Sequence, residues 1–324
     1  MLSKLAQYIE NNWYQSAWKN LWLLPFWLLA WVFVYSKRRR FLANPPPATA
    51  APVIIVGNIN VGGTGKTPLI TCLVAMAREL GFNPGVISRG YGGKAANYPL
   101  IVTGSTSVLE SGDEPKLLHQ RLACPIVVAP KRIEAAEKIA ELGANLIFSD
   151  DGLQHYGLAR QAEIIVTDEK RQFGNGWLLP IGPLREPISR LNTADLVLSN
   201  GKDFKVQASA LVNALTGDRV PLSTLMGKKV DAVAGIGNPA RFYDTLQGLG
   251  AEVNKHSFAD HHQFAATDFE FSTPDTMLVM TEKDWVKCTA FAKPNWWYLQ
   301  VDAVLSQAAE QAIKTLLASF LQKG

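Results

Sequence analysis

Short apolar runs alternate with segments of helical spacing over residues 53–166. The apolar, β-branched run at 53–56 ends at a glycine, and apolar positions at helical spacing follow over 68–80. Alternating strands and helices are typical of βαβ units, whose strands pair in parallel. The same rhythm predicts strands at 85–88, 125–128, 145–149 and 163–166, with a helix at 131–142. We therefore expect an α/β fold with a doubly wound, mostly parallel sheet.

A second series of elements follows residue 190. Strands are predicted at 195–199, 230–235, 277–281 and 297–301, with helices at 239–249 and up to residue 321. Because this series repeats the alternation after a Pro/Gly-rich stretch, it predicts a second, smaller α/β domain. The expected boundaries are 45–190 for the first domain and 191–324 for the second.

The N-terminal segment, residues 1–44, has a different pattern. Residues 21–35 form an unbroken apolar run, and a tetrabasic cluster follows at 37–40. As a helix, fifteen residues would reach about 23 Å, which is short of the ~30 Å hydrocarbon core. Tryptophan and arginine together favour the headgroup region over a buried core helix, which is the alternative. We expect an interfacial or shallowly inserted anchor with its basic side on the cytoplasmic face of the bacterial inner membrane.

Charge and cysteine content exclude some classes of protein. The net charge is +4, yet residues 1–45 alone carry +5, so the remainder has no basic footprint for nucleic acid. Three widely spaced cysteines without a CxxC pair favour neither a disulfide framework nor a zinc site, which fits a reducing cytoplasm. The proline-rich stretch at 44–52 reads as a linker, after which the catalytic part of the chain begins.

The strongest chemical signal lies between the strand at 53–56 and the next helix, where residues 57–68 read GNINVGGTGKTP. In a P-loop, backbone N–H groups and the helix N-terminus bind phosphates, the lysine reaches the β- and γ-phosphates, and the hydroxyl after it binds Mg²⁺. The first glycine of the GxxxxGK[ST] pattern is replaced by Asn60, so the entry to the loop departs from it. We predict a P-loop NTPase-like fold that binds ATP through Asn60, Val61, Gly62, Gly63, Thr64, Gly65, Lys66 and Thr67.

Two carboxylates end the predicted strand at 145–149. Asp150 and Asp151 would lie at the carboxyl edge of a parallel sheet, where a Walker B acid meets the magnesium ion. An Asp-Asp pair alone is more often a solvated turn or a helix cap. Its occurrence downstream of a P-loop favours the metal role.

Eight strings from residue 57 to residue 288 resemble, in order, the tetraacyldisaccharide 4′-kinase family of lipid A biosynthesis. They read GNINVGGTGKTP (57–68), SRGYGG (88–93), GDEP (112–115), SDDGLQH (149–155), GNGWLLPIGPLREP (174–187), GIGNPARF (235–242), FADHHQF (258–264) and MTEKDWVKC (280–288). The resemblance implies transfer of the ATP γ-phosphoryl group to the 4′-hydroxyl of a tetraacylated glucosamine disaccharide 1-phosphate, giving lipid IVA. It also implies a two-domain α/β protein with an N-terminal membrane-associating helix.

The resemblance assigns the catalytic acid–base pair to Asp113 and His261. A carboxylate can accept the proton of an alcohol and aim its lone pair at phosphorus. Taken alone, Asp113 would be read as a helix N-cap and His261 as a surface-loop histidine. Because His262 is adjacent, the sequence leaves open which histidine faces the site.

The resemblance also places other residues near the phosphates. Arg185 and Glu186 match family residues near the nucleotide and magnesium, so Arg185 joins Lys66 as a catalytic candidate, and Glu186 joins Thr67, Asp150 and Asp151 as metal candidates. An arginine fork suits a transferring phosphoryl group, although an exposed ion pair is the alternative for Glu186. For the acceptor we name Arg89, Gln154 and His155, and the last two are alternatively expected to position the acid pair. Arg132 is a weaker candidate for phosphate contact.

Two other functions share some of these features. A dimeric P-loop ATPase or GTPase of the partitioning or maturation type has a similar loop, but the TEKD string at 281–284 lacks the spacing of a guanine-reading NKxD motif. A membrane-tethered, nucleotide-dependent scaffold is the second alternative. The expected partners are the lipid substrate and the membrane surface, and we expect neither nucleic acid nor a protein partner.

Overall fold

The computed structural model describes residues 2–321, with no side-chain description for residues 2–4. The helices are α1 Leu2–Asn12, α2 Leu24–Ala43, α3 Lys66–Glu79, α4 Val108–Ser111, α5 Asp113–Arg121, α6 Arg132–Glu141, α7 Pro239–Gly248, α8 Glu282–Cys288 and α9 Gln307–Leu321. The strands are β1 Val53–Gly57, β2 Pro84–Ser88, β3 Leu100–Ile101, β4 Ile126–Val128, β5 Leu146–Asp150, β6 Ala162–Asp168, β7 Leu196–Asn200, β8 Phe204–Asn213, β9 Arg219–Val220, β10 Lys229–Ala234, β11 Glu252–Ser257, β12 Met277–Thr281 and β13 Trp296–Leu305.

The chain folds into two units. Unit 1 contains the described residues up to Arg89, then Cys124–Lys205, and the described residues from Leu305 on; unit 2 contains Gly90–Ala123 and Val206–Val304. This division differs from the predicted domains at 45–190 and 191–324. Unit 2 includes the segment with α5, which packs against α8, while α9 packs against α3 and β7 of unit 1. Such packing joins distant parts of the sequence, so spacing along the chain does not reveal it.

Unit 1 is built on a parallel sheet with the strand order β4-β2-β5-β1-β6-β7. Every residue of β1 is buried, which explains why its sequence is continuously apolar. β5 pairs with β1 so that Val56 lies opposite Asp150. The P-loop and the Asp-Asp pair therefore leave the same edge of the sheet on neighbouring strands, and the predicted α/β class is confirmed.

The strands of unit 2 have the order β11-β10-β12-β13-β8, with β9 antiparallel to β8. The two faces of this part of the sheet carry separate cores, because Val233 belongs to one apolar cluster and its neighbours Ala232 and Ala234 to the other. The sequence pattern did not predict β8 and β11. β11 lies at the end of the sheet and is mostly polar and exposed, so it lacks the apolar run that marks a central strand.

The N-terminal segment is more extended than its apolar run predicts. A 3₁₀ helix at Ala17–Leu23 leads into α2, which continues through the tetrabasic cluster to Ala43 instead of ending near residue 35. Lysine and arginine are good helix formers and favour the last turn of a helix, which explains the continuation. By length and composition, Ala17–Ala43 qualifies as a candidate membrane span.

Candidate functional site

The P-loop of unit 1 forms a tight turn before α3. Gly65 is the residue that precedes the helix, and its φ of +92° lies in the left-handed region, which glycine adopts without steric cost. Lys66 and Thr67 then open α3, where the first N–H groups have no intrahelical acceptor and the helix dipole favours an anion. The side-chain oxygen of Thr64 is buried and has no hydrogen-bond partner within residues 2–321. This turn has the geometry of a phosphate site.

The entry to the loop does not need a glycine at position 60. Asn60 forms an isolated β-bridge with Leu184, and its side-chain amide donates a hydrogen bond to the carbonyl of Gln172, at 3.1 Å. On either side, the Val61 N–H donates to Pro183 O at 2.8 Å and the Arg185 N–H donates to Ile59 O. The segment 183–186 therefore pairs with the P-loop entry, which explains the departure from GxxxxGK[ST].

Three charged groups meet at the start of α3. Lys66 Nζ lies 3.3 Å from Asp151 Oδ1, and Arg185 Nη1 lies 2.9 Å from Asp151 Oδ2. Lys66 Nζ also donates to Asn58 Oδ1 at 3.1 Å. Burial would raise the pKa of Asp151, but the charges of Lys66 and Arg185 outweigh it and lower that pKa to about 2. The structure thus brings together the lysine, the arginine and one acid that the sequence predicts.

Asp150 ends β5 and is only 1% exposed. Arg132, the first residue of α6 and also buried, donates through Nη2 to the carbonyl oxygens of Asp150 at 2.9 Å and Asp151 at 3.3 Å. Burial lowers the pKa of Arg132 to about 10, and the two acids counteract part of that effect. Arg132 therefore binds the backbone of the acid pair and places a positive charge near both carboxylates, and its phosphate contact stays a prediction.

These residues fit a magnesium ion that accompanies ATP. The Thr67 hydroxyl and the carboxylates of Asp150 and Asp151 are oxygen ligands of the kind Mg²⁺ prefers. Within the described residues, no group of three or more His, Cys, Asp or Glu side chains forms a metal cluster.

Glu186 is enclosed by protein donors. It is 1% exposed, and its carboxylate accepts hydrogen bonds from the Tyr156 hydroxyl at 2.7 Å, from Gln154 Nε2 at 3.1 Å and from Arg190 Nε at 3.1 Å. Arg190 also forms an ion pair with Glu163. Glu186 is therefore not the exposed ion pair considered from sequence. Its predicted metal role stays a prediction, and its contacts are those of a buried counter-ion.

The three predicted acceptor residues lie in different surroundings within unit 1. Gln154 contacts the residues around Lys66, since Nε2 donates to Asn58 O at 3.2 Å and Oε1 accepts from Arg185 at 3.4 Å. His155 is half-buried, and burial together with nearby cations, Arg132 first, lowers its pKa to about 4. Its imidazole is therefore neutral at pH 7. Arg89 is exposed, after β2.

Asp113 and His261 of unit 2 form a hydrogen-bonded pair. His261 Nδ1 lies 2.9 Å from Asp113 Oδ2, although 148 positions separate the two residues. Asp113 is buried, whereas the His261 side chain is 40% exposed. His261 has a φ of +58°, which is rare for a residue other than glycine and often marks a functional position. Gly112 precedes α5, so Asp113 is the first helical residue and not the N-cap residue, while its Oδ1 accepts a hydrogen bond from the Glu114 N–H at 3.0 Å.

Two glycines allow the backbone to bring Asp113 to this place. A Cβ on Gly93 would lie 2.5 Å from Glu110 O, and one on Gly112 would lie 2.6 Å from Tyr91 O. The GYGG part of the SRGYGG string therefore packs directly on the backbone before Asp113. Tyr91 then reaches His261, at 5.5 Å between ring centroids. Two separate strings of the sequence thus build one corner of unit 2.

The geometry answers which histidine faces Asp113. His262 Nε2 lies 3.0 Å from Asp268 Oδ2, and its ring packs between Phe258 and Phe264. The side chain of His262 therefore contacts residues of its own loop and the segment that follows it. His261 is therefore the partner of Asp113.

Several residues near these groups have no role predicted from the sequence. Lys283 pairs with Glu114, and Lys287 Nζ lies 3.9 Å from Asp113 Oδ2, both from α8 and its MTEKDWVKC string. Asn58 holds Lys66. The resemblance of the strings that contain these residues to the family was the one indication that they matter. Ion pairs between residues so far apart along the chain leave no pattern in the local sequence.

The N-terminal segment is attached to the loop that borders the P-loop entry. Asn20 is fully buried, and its amide donates to Ile181 O at 3.2 Å. Trp13 donates through its indole to Pro180 O at 3.1 Å, and Trp27 packs edge-on against Trp177. The GNGWLLPIGPLREP string therefore joins the N-terminal helices to the P-loop entry of unit 1.

Comparisons with known proteins agree with this geometry. The family model described as LpxK, tetraacyldisaccharide-1-P 4′-kinase, matches residues 19–319. The tetraacyldisaccharide 4′-kinase of Vibrio cholerae is 45% identical over 94% of this chain and 95% of the relative, and that of Colwellia psychrerythraea is 47% identical over 90% of each. The enzyme of the same name from Methylobacillus flagellatus is 44% identical over 100% of this chain and 99% of its own.

A solved structure has the same fold. The crystal structure of LpxK from Aquifex aeolicus in complex with ATP superposes with a TM-score of 0.79 at 28% identity, and covers 92% of this chain and 98% of that one. The resemblance stated from the sequence strings is therefore confirmed over nearly the whole chain.

Proposed function

We infer the reaction from one premise, which is that this chain belongs to the LpxK family of tetraacyldisaccharide-1-P 4′-kinases. It is an ATP-dependent phosphotransferase with an alcohol as acceptor. The γ-phosphoryl group of ATP passes to the 4′-hydroxyl of a tetraacylated glucosamine disaccharide 1-phosphate, and the products are lipid IVA and ADP. The observation that carries this inference is a P-loop lysine in a chain that also holds a hydrogen-bonded Asp–His pair.

We propose that Lys66 binds the β- and γ-phosphates of ATP. Its ammonium now pairs with Asp151, and a phosphate oxygen can take the place of that carboxylate. Arg185, which shares Asp151 with Lys66, is suited to the charge of the transferring group, because a guanidinium can hold two oxygens. Mg²⁺ bound with ATP neutralises phosphate charge, and Thr67, Asp150 and Asp151 are the residues that would hold it.

For the acceptor we propose that Asp113 is the general base. Its Oδ2 takes the proton of the 4′-hydroxyl while the freed oxygen bonds to the γ-phosphorus and the bond from phosphorus to the β,γ-bridging oxygen breaks. His261 orients that carboxylate through the 2.9 Å hydrogen bond. Arg89 and His155 are proposed as acceptor contacts, and Gln154 supports the phosphate site through Asn58 and Arg185.

We propose that the N-terminal segment attaches the enzyme to the cytoplasmic face of the inner membrane. Large apolar side chains remain exposed there, including Trp18, Trp22, Phe26, Leu29 and Phe33. The half-buried positions of α2 lie on one face at helical spacing, whereas its other positions are exposed. Burial of such side chains in the acyl boundary and attraction of the basic cluster to anionic lipids both favour a membrane surface.

The experiment on the Asp–His pair uses detergent-dispersed lipid acceptor and labelled ATP. We expect Asp113→Ala to lower kcat by roughly 10² to 10⁴-fold with little change in the KM for ATP, since it removes proton acceptance and leaves nucleotide binding intact. His261→Ala should also have a low kcat. In the double variant Asp113→Ala/His261→Ala, the fold-loss in kcat should be far smaller than the product of the two single fold-losses.

The matched control is His262→Ala, because His262 is the neighbouring histidine and pairs with Asp268 instead. It should retain kcat. Two results would contradict the proposed roles. One is a fold-loss of kcat in Asp113→Ala/His261→Ala that equals the product of the single losses, and the other is full turnover in Asp113→Ala.

Acceptor dependence separates the kinase from the two alternatives. A kinase transfers label to the lipid and consumes ATP in proportion to acceptor, whereas a partitioning-type ATPase or a scaffold hydrolyses ATP without labelling lipid. Lys66→Ala should abolish the transfer, while an unchanged far-UV circular dichroism spectrum shows that the variant is folded.

The membrane proposal is tested on the full chain. Trp22→Ser, Leu29→Ser and Phe33→Ser together remove exposed apolar surface but leave the contacts of Trp13, Asn20 and Trp27 with residues 177–181 in place. The triple variant should lose most binding to vesicles that contain anionic lipid. Unchanged binding would show that the attachment surface lies elsewhere.

A further inference from the structure

Two lysines of α8 contact the acidic start of α5 in unit 2. Lys283 forms an ion pair with Glu114, and Lys287 Nζ lies 3.9 Å from Asp113 Oδ2. The two pairs differ in exposure, since Lys283 is one-third exposed while the Lys287 side chain is 2% exposed. Lys287 is thus a buried cation next to the proposed general base.

A second carboxylate fixes the position of Lys287. Its ammonium donates to Asp284 Oδ1 at 3.0 Å, and Asp284 is fully buried. Asp284 Oδ2 in turn accepts from the Gly235 N–H at 2.9 Å and from the Thr281 hydroxyl at 2.6 Å. Because Asp284 is held at both oxygens, the lysine it binds has little freedom to turn away from Asp113.

The two oxygens of Asp113 have different partners. Oδ1 accepts from the Glu114 N–H at 3.0 Å, while Oδ2 faces both His261 Nδ1 at 2.9 Å and Lys287 Nζ at 3.9 Å. A carboxylate taken out of water is stabilised by a nearby cation. Lys287 is a buried cation that the structure provides there.

We propose that Lys287 is a positioning residue for the phosphoryl transfer. Its ammonium, held by Asp284, attracts the Asp113 carboxylate and keeps Oδ2 aligned with His261, so that the carboxylate is ready to accept the hydroxyl proton. Lys287 itself exchanges no proton in this step. The proposal rests on the role of Asp113 given under the proposed function.

The test is a double-mutant cycle with single-turnover detection of labelled lipid. Lys287→Met should lower kcat by about 10- to 100-fold, the range found when a group that orients a reacting side chain is removed, with the KM for ATP unchanged. In the Asp113→Ala background the same substitution should have no further effect, because the carboxylate it serves is gone. Lys287→Arg should recover part of the rate.

Lys283→Met is the matched control. It removes a lysine from the same helix that forms its ion pair with the neighbouring acid, Glu114. Its kcat should stay close to that of the wild type. An equal loss in Lys283→Met and Lys287→Met would show a general effect of α8 and overturn the proposal.

Lys287→Met leaves Asp284 buried without its cation and is expected to be less stable, so rates are taken per folded molecule from unfolding curves. Should it fail to fold, Asp284→Asn/Lys287→Met removes both charges of the buried pair, and Asp284→Asn alone is its control with Lys287 kept. Full kcat in the double variant, or a loss that persists in the Asp113→Ala background, overturns the proposal. Full kcat in Asp113→Ala would instead refute the proposed role of Asp113 as general base. Asp113→Ala is therefore measured first, before the lysine variants are compared.

Discussion

Glu186 gives a sharp test of the difference between a metal ligand and a buried counter-ion. Its carboxylate is 1% exposed and accepts hydrogen bonds from Tyr156, Gln154 and Arg190. Glu186→Ala would leave the Arg190 guanidinium with Glu163 as its remaining carboxylate and the Tyr156 hydroxyl without its acceptor. We therefore expect a loss of folding stability first, and an effect on metal use only if Glu186 touches the ion.

The size of that loss follows from the contacts. Breaking a buried ion pair costs about 3–5 kcal/mol, and the lower end applies because Glu163 still pairs with Arg190. The stranded Tyr156 hydroxyl adds about 1 kcal/mol, so Glu186→Ala should lose about 4 kcal/mol. Glu186→Gln keeps the shape and one acceptor oxygen, so its loss should be about 1–2 kcal/mol.

The assay is urea unfolding of both variants, together with initial rates over a series of free Mg²⁺ concentrations at saturating ATP. Glu141→Gln is the control, since it removes an exposed glutamate paired with Lys138 and should change stability by less than about 0.5 kcal/mol. Unchanged stability in Glu186→Ala, with a Mg²⁺ requirement raised about tenfold, would refute the counter-ion reasoning and assign Glu186 to the metal.

Three further predictions concern stability. The pKa of Asp151 is lowered from 3.8 to about 2, so its contribution is complete above pH 4 and disappears as the pH falls towards 2; urea unfolding should show this loss in the wild type and not in Asp151→Asn. His261→Gly should be about 1 kcal/mol more stable than His261→Ala, because the φ of +58° penalises Ala; a more stable Ala variant would contradict the strain. Gly93→Ala should lose about 1–3 kcal/mol in thermal unfolding, since its Cβ would lie 2.5 Å from backbone atoms, whereas Gly104→Ala meets nothing within 4 Å and should be neutral.

The P-loop was predictable because its parts are close together along the chain. A buried strand, a glycine turn and a helix N-terminus follow one another between residues 53 and 80, so their geometry is local. Asp150 and Asp151 could be added because parallel strands end at one edge of a sheet. By contrast, the sequence pattern did not reveal β11, because a polar strand at the end of a sheet has no apolar run. The predicted helix at 21–35 was shorter than α2, because the charged residues that follow the apolar run also form helix readily.

The Asp–His pair could not be found in this way. Nothing in the spacing of Asp113 and His261 indicates contact, and the prediction came from the resemblance of the GDEP and FADHHQF strings to a family. The choice of His261 over His262 required the positions of Asp268 and two phenylalanines. The two histidines are adjacent and chemically identical, so only their surroundings in the folded protein distinguish them.

The sequence by itself determined the α/β class, the P-loop, the acid pair after β5 and the basic, tryptophan-rich N-terminal segment, since each is a pattern within a few dozen residues. Tertiary structure alone decided which charges are buried and what balances them: Glu186 by Arg190, Asp151 by Lys66 and Arg185, and Lys287 between Asp284 and Asp113. The physical reason is desolvation. The energy of a charge depends on the distance to its partners and on the water removed around it, and both are set by chain segments that meet only when the protein folds.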